Sequence, residues 1–146
     1  MLLGSFLAAA LAFGPDGAGA CRADVGVPSS WQEKEARTAA QRKINSQLLY
    51  EIYRRRGLAD KKGIPPGPTD VRIDTAGRAM VDVRAEVTPA IEKKIRDLGG
   101  VVISTSGRDQ SIIARIPILK LERLAGDRRV RAIEPAAEAI TNSPKR

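Results

Sequence analysis

The fold of this chain is decided by residues 79–135, which read AMVDVRAEVTPAIEKKIRDLGGVVISTSGRDQSIIARIPILKLERLAGDRRVRAIEP. From Ala79 to Val87, apolar and polar residues alternate, and this period of two predicts a half-buried strand. Thr88 and Pro89 then supply an N-cap and a first helical residue. A strand is therefore expected to lead directly into a helix.

Strand and helix signals repeat in the second half of this stretch. They predict strands over 101–105 and 110–116, a helix over 118–125 and a closing strand over 130–134. The order strand, helix, strand, strand, helix, strand is that of the ferredoxin-like fold, a four-stranded antiparallel sheet with two helices on one face. We therefore predict an α+β protein whose sheet leaves its other face free for a binding partner.

Ahead of the sheet, the sequence predicts one amphipathic helix and a linker. Ser30 and Glu33 have the spacing of a capping box, and apolar residues then recur every four positions. The helix is expected over 30–57. Residues 58–77 contain a group of prolines and glycines, which predicts a stiff, extended linker before the domain at 78–135.

The N-terminus of the chain has the character of an export signal. Residues 2–13 form an apolar run too short to span a bilayer, and small residues follow at 18–20. We predict a signal peptide over 1–20 and a disordered segment over 21–29, so the protein would be secreted or periplasmic. Cys21 follows the small residues, as in bacterial lipoproteins. Two interpretations of Cys21 stay open: it carries a lipid anchor, which would bring the protein to a membrane, or it is an unpaired thiol.

Composition argues against most kinds of active site. The chain has no histidine and one cysteine, which excludes a Ser-His-Asp triad, a histidine-ligated metal, a four-cysteine zinc site and an internal disulfide. Asp82, Glu86 and Glu134 are candidate general acids, but solvated carboxylates on a strand face are the ordinary explanation. Because no nucleophile has an activating partner, we predict a non-catalytic protein without a cofactor or metal.

Charge bears on the kind of partner. The formal net charge is +8, which favours acidic partners. Small sheets that bind RNA stack its bases on aromatic residues of their central strands. No predicted strand of this chain contains an aromatic residue. We therefore expect a protein partner and no nucleic acid.

Three features of residues 79–134 are informative in combination. They are the element order, the strand IIARI at 112–116 that leads into a leucine-bearing helix, and the closing VRAIEP at 130–135. With the lead-in KINSQLL at 43–49, they resemble the propeptide, or inhibitor, domain of secreted subtilisin-like serine proteases. In that family the propeptide is a folding chaperone and a temporary inhibitor. Its sheet packs on two helices of the protease, and its C-terminal tail lies in the active-site cleft like a substrate.

The resemblance implies a subtilisin-like serine protease as the partner and two contact surfaces on this chain. The first is the sheet face opposite the helices, with Met80, Asp82, Arg84, Glu86, Ser111, Ile113 and Arg115. The second is an extended tail over 136–146, whose cleft-binding segment would be Ala136, Ala137, Glu138, Ala139, Ile140, Thr141 and Asn142.

The sequence leaves the biological setting open. In the family a catalytic domain follows the propeptide, so this chain is either a free-standing inhibitor or the truncated front of a precursor. The alternative outside this family is a generic ferredoxin-like domain that serves protein interaction or oligomerisation.

Overall fold

One four-stranded antiparallel sheet organises the computed structural model, which describes residues 30–137. The strands are β1 (Arg78–Ala85), β2 (Val101–Ser106), β3 (Ser111–Pro117) and β4 (Val130–Pro135). They are ordered β2-β3-β1-β4, so β1 and β3 are central. The predicted α+β class and antiparallel sheet are confirmed, and each strand lies within about two residues of its predicted position.

Five α-helices accompany the sheet within the described part of the chain. They are α1 (Ser30–Glu35), α2 (Ala39–Arg42), α3 (Ser46–Arg55), α4 (Pro89–Asp97) and α5 (Leu121–Ala125), with short 3₁₀ turns at Asp60–Lys62 and Ile118–Lys120. None of these helices is long and apolar enough to cross a bilayer.

The two helices between the strands begin differently, for local reasons. Before α4, the Thr88 hydroxyl accepts a hydrogen bond from the Ile91 N–H, and Pro89 is the first helical residue, as predicted. No side chain caps the segment before α5, and it starts as the 3₁₀ turn at Ile118–Lys120. Gly99 follows α4 with a φ of 84°, a left-handed conformation that favours glycine.

The hydrophobic core lies between one face of the sheet and these helices. Its fully buried side chains come from alternate positions of the central strands and from α4 and α5. They include Val81, Val83, Ile112, Ile116, Ile91, Ile95, Leu121 and Leu124. Each large aliphatic side chain of this kind contributes about 1.5–3 kcal/mol by leaving water, so the sheet is stabilised from this face.

The prediction of one continuous N-terminal helix is wrong, because the structure forms three short helices there. The Thr38 hydroxyl accepts a hydrogen bond from the Gln41 backbone N–H, and the Gln41 side-chain oxygen accepts one from the Thr38 N–H. These two bonds form a complete capping box that begins α2. The Asn45 side chain accepts from the Gln47 N–H and begins α3. Both side chains satisfy backbone groups at a new helix start and so favour a break over a continuous helix.

The helix α3 belongs to the domain and is not separated from it by a linker. Its residues Leu48, Leu49, Ile52 and Tyr53 are buried in the common core. The segment predicted as an extended linker contains a 3₁₀ turn, and Ile64 within it is only 5% exposed. That prediction is wrong because apolar side chains on both sides of the prolines, such as Ile64 before them and Ile73 after them, pack on the core.

A buried ion pair fixes α1 to α3. Glu33 is 2% exposed, and both its carboxylate oxygens accept from the Arg37 guanidinium, at 2.8 and 2.7 Å. The Tyr53 hydroxyl donates to the same carboxylate at 3.2 Å. Burial, with the nearby Glu33 charge, raises the pKa of Tyr53 to about 12.

Candidate protein-docking surface

The candidate site is the sheet face opposite the helices, which we call the open face. Residues opposite each other in an antiparallel pair point to the same side. The register of β1 and β3 therefore groups three pairs on this face. They are Met80 beside Arg115, Asp82 beside Ile113, and Arg84 beside Ser111. Six of the seven predicted docking residues thus lie together, and each is half-buried or exposed.

Glu86, the seventh predicted docking residue, lies elsewhere. The strand β1 ends at Ala85, one residue before Glu86, so Glu86 has no partner in the sheet register that groups the other six residues. Glu86 instead lines a cavity of about 640 Å³ with Lys94 and Asp127, which belong to the helical layer.

The outer strands add residues to the open face that the sequence did not identify. On β4, Glu134 lies beside Asp82 and Ala132 beside Arg84. On β2, the open-face neighbours of β3 are Val101, Ser104 and Ser106. Alternation along β2 and β4 is the signal for these positions, but it becomes usable only when the strand order and register are known.

The charges on the open face balance one another. Asp82 forms an ion pair with Arg84 at 2.9 Å and accepts a hydrogen bond from the Ser111 hydroxyl at 2.5 Å. Glu134 and Arg115 add one charge of each sign, so the central face is neutral although the chain carries +8. A neutral surface that mixes apolar side chains with internally paired polar ones suits a protein interface better than a polyanion site.

A tight turn from Asp74 to Arg78 lies at one end of the open face. The Asp74 carboxylate accepts from the backbone N–H groups of Ala76 and Arg78 and from the Arg78 side chain, all at 2.9 Å. These bonds, led by the one from the Arg78 N–H, hold the pKa of Asp74 below its usual range. A cavity of about 240 Å³ lies between this turn and the side chains of Met80 and Arg115.

The chain leaves the sheet at the end of β4. The Ala136 N–H donates to the Met80 carbonyl at 3.0 Å, so pairing continues one residue beyond the strand. The next partner in register would be Ala79, whose two sides are already taken by Ile116 of β3 and by an antiparallel bridge to Ile73. Ala137 therefore cannot extend the ladder and departs from the sheet.

Several predicted features lie outside the described residues. They are the signal peptide over 1–20, the segment over 21–29 with Cys21, and the tail residues Glu138, Ala139, Ile140, Thr141 and Asn142.

Two negative findings bear on function. Within residues 30–137, no three histidine, cysteine, aspartate or glutamate side chains converge in a way that could hold a metal ion. Comparison of the chain with protein-family models, curated proteins and solved structures gives no significant match. Function is therefore inferred from the surface and the sequence of the chain itself.

Proposed function

We propose that this chain is a secreted, non-catalytic module that binds a subtilisin-like serine protease as an inhibitor or folding chaperone. The open face docks on the protease, and the segment after Pro135 enters the active-site cleft. One observation carries the proposal: the helices cover the sheet on one face only and leave the open face exposed or half-buried.

The topology supports a ferredoxin-like assignment for residues 78–135. The helix α4 connects β1 to β2, and α5 connects β3 to β4, while the spatial order β2-β3-β1-β4 interleaves the two halves. The helices α1 to α3, which thicken the covered side, and the segment before β1, which reaches only one end of the open face, are additions to this topology. They leave the open face accessible, as a docking role requires.

The end of the strand pairing before Ala137 supports the proposal that the following segment binds in the protease cleft. Ile73 occupies the side of Ala79 that Ala137 would need, so the described pairing of β4 with β1 ends at Ala136. An extended segment with small residues can add to strands that line a protease cleft through main-chain hydrogen bonds. Ala136 and Ala137 provide such residues at the start of that segment.

Inhibition of subtilisins tests the proposal. The full chain is titrated against a panel of these enzymes with a chromogenic peptide substrate. Inhibition at micromolar concentration or below is expected. Ile113→Lys places a charge in the middle of the open face, and we expect it to weaken inhibition about thirtyfold or more, as for a central interface residue.

Leu119→Lys provides the matched control. Leu119 is 44% exposed but lies on the 3₁₀ turn before α5, away from the open face. This variant is expected to inhibit like the unmodified chain, whereas removal of residues 136–146 is expected to weaken inhibition. No inhibition by the full chain at micromolar concentration, or equal loss in the two lysine variants, would refute the proposal.

A further inference from the structure

The two edge strands of the sheet differ in whether another segment of the chain pairs with them. Along β4, the Asn45 N–H donates to the Ile133 carbonyl at 2.9 Å, and the Ile133 N–H donates to the Lys43 carbonyl at 2.7 Å. The segment before α3 thus covers this edge. At the opposite edge, β2 pairs with β3 alone, and no other segment among residues 30–137 adds to it.

The uncovered edge lacks the usual protection against pairing. Natural edge strands carry charged residues or proline, or are covered by another segment, because their free backbone groups invite another strand. The six residues of β2, VVISTS, include no charge and no proline. A register shift between Val102 and Ser104 gives this strand partial protection against pairing with another strand. Val101 and Ile103 are 50% and 49% exposed, and with Leu119 they are the large hydrophobic side chains most exposed among those described.

We propose that β2 is a self-association edge, at which it pairs antiparallel with β2 of a second copy of this chain. Each copy carries a net charge of +8, so two copies repel each other least where the surfaces that meet carry no charge. The strand β2 meets this condition along its whole length. Two identical strand edges related by a twofold axis pair antiparallel and give one continuous eight-stranded sheet.

The geometry of this dimer leaves the open face free. An antiparallel pair of equivalent strands has its twofold axis normal to the sheet, so both open faces lie on the same side. The dimer and the proposed protease contact therefore use different parts of the sheet, and neither depends on the other. Because the contact is a single strand pair, the dimer is expected to be weak and concentration-dependent.

Sedimentation velocity of the full chain over a wide concentration range tests this proposal. A monomer–dimer equilibrium is expected. Ile103→Lys would bring two like charges together at the contact and raise the dissociation constant about a hundredfold. Leu119→Lys, with similar exposure away from β2, is expected to dimerise like the unmodified chain. A monomer at every concentration, or a dimer of Ile103→Lys as stable as that of the control, would overturn the proposal.

Amide hydrogen exchange of the unmodified chain provides a test that needs no variant. Backbone amides of residues 101–106 should exchange more slowly at high protein concentration than at low concentration. Dimerisation without this slowing would place the contact elsewhere and overturn the proposal. Subtilisin inhibition is scored separately, so failure of the dimer and failure of the protease contact are distinguishable.

Discussion

The two faces of the sheet are made from alternate residues of the same strands, yet they differ in composition and in exposure to solvent. On β3, Ile112 and Ile116 point into the core and are fully buried. Between and beside them, Ser111, Ile113 and Arg115 point to the open face and stay partly exposed. A period of two in the sequence thus places one set of residues in the core and leaves the other set on the face that we propose as the docking surface.

The largest expected effect comes from truncating one neighbour on each face. Ile112→Ala removes a fully buried side chain and should lower the free energy of unfolding by about 2–5 kcal/mol. Ile113→Ala removes a half-buried one and should cost about 1 kcal/mol or less. Urea denaturation measures both values. Equal losses of unfolding free energy in the two variants would show that the open face stabilises the fold as much as the core face does, and would contradict the difference between the faces.

A smaller effect is expected where α1 is attached to the helical layer that covers the sheet. Glu33→Ala would remove the carboxylate that binds Arg37 and Tyr53, and should cost about 1.5–3 kcal/mol because hydrogen bonds to a buried charge are lost. Glu35→Ala on the same helix is exposed and should change stability by about 0.5 kcal/mol at most. Thermal or urea unfolding measures the loss of stability in the two variants. Similar losses would mean that the attachment of α1 through Glu33 does not stabilise the helical layer.

The smallest effect is confined to alkaline pH. The pKa of Tyr53 is raised to about 12 from an ordinary value near 10, since burial and Glu33 disfavour the phenolate. The folded state therefore binds this proton more tightly than the unfolded state. Its contribution to stability is full below pH 10 and is lost as pH rises through 12. Tyr53→Phe should flatten this part of the stability profile relative to Tyr50→Phe, and parallel profiles for the two variants would contradict the assignment.

The sequence was informative about the sheet because its signals there are local. Alternation defines β1 and β3, and Thr88 with Pro89 defines the start of α4. Six open-face residues followed from the same alternation. Glu86 did not, because β1 ends one residue before it, at Ala85, and the local alternation does not show where a strand stops pairing.

The N-terminal region was less predictable because long-range contacts decide it. The bridge between Ile44 and Ile133 joins residues distant in sequence, and it holds the turn between α2 and α3 against β4. The caps at Thr38 and Asn45 were visible as residue types, but the four-residue spacing of apolar side chains favoured a single helix. The burial of Ile64 likewise depends on a core that the local composition of prolines and glycines does not indicate.

The most direct test of the central claim is an NMR footprint. Backbone amide shifts of the full chain, labelled with ¹⁵N, are recorded with and without a subtilisin whose catalytic serine is blocked by a group small enough to leave its binding cleft open. We expect perturbations along the open face, at Met80, Ile113, Arg115 and Glu134, and at Ala136 and Ala137 where the chain leaves the sheet. Perturbations confined to the helical layer, or no change at saturating protease, would contradict the account.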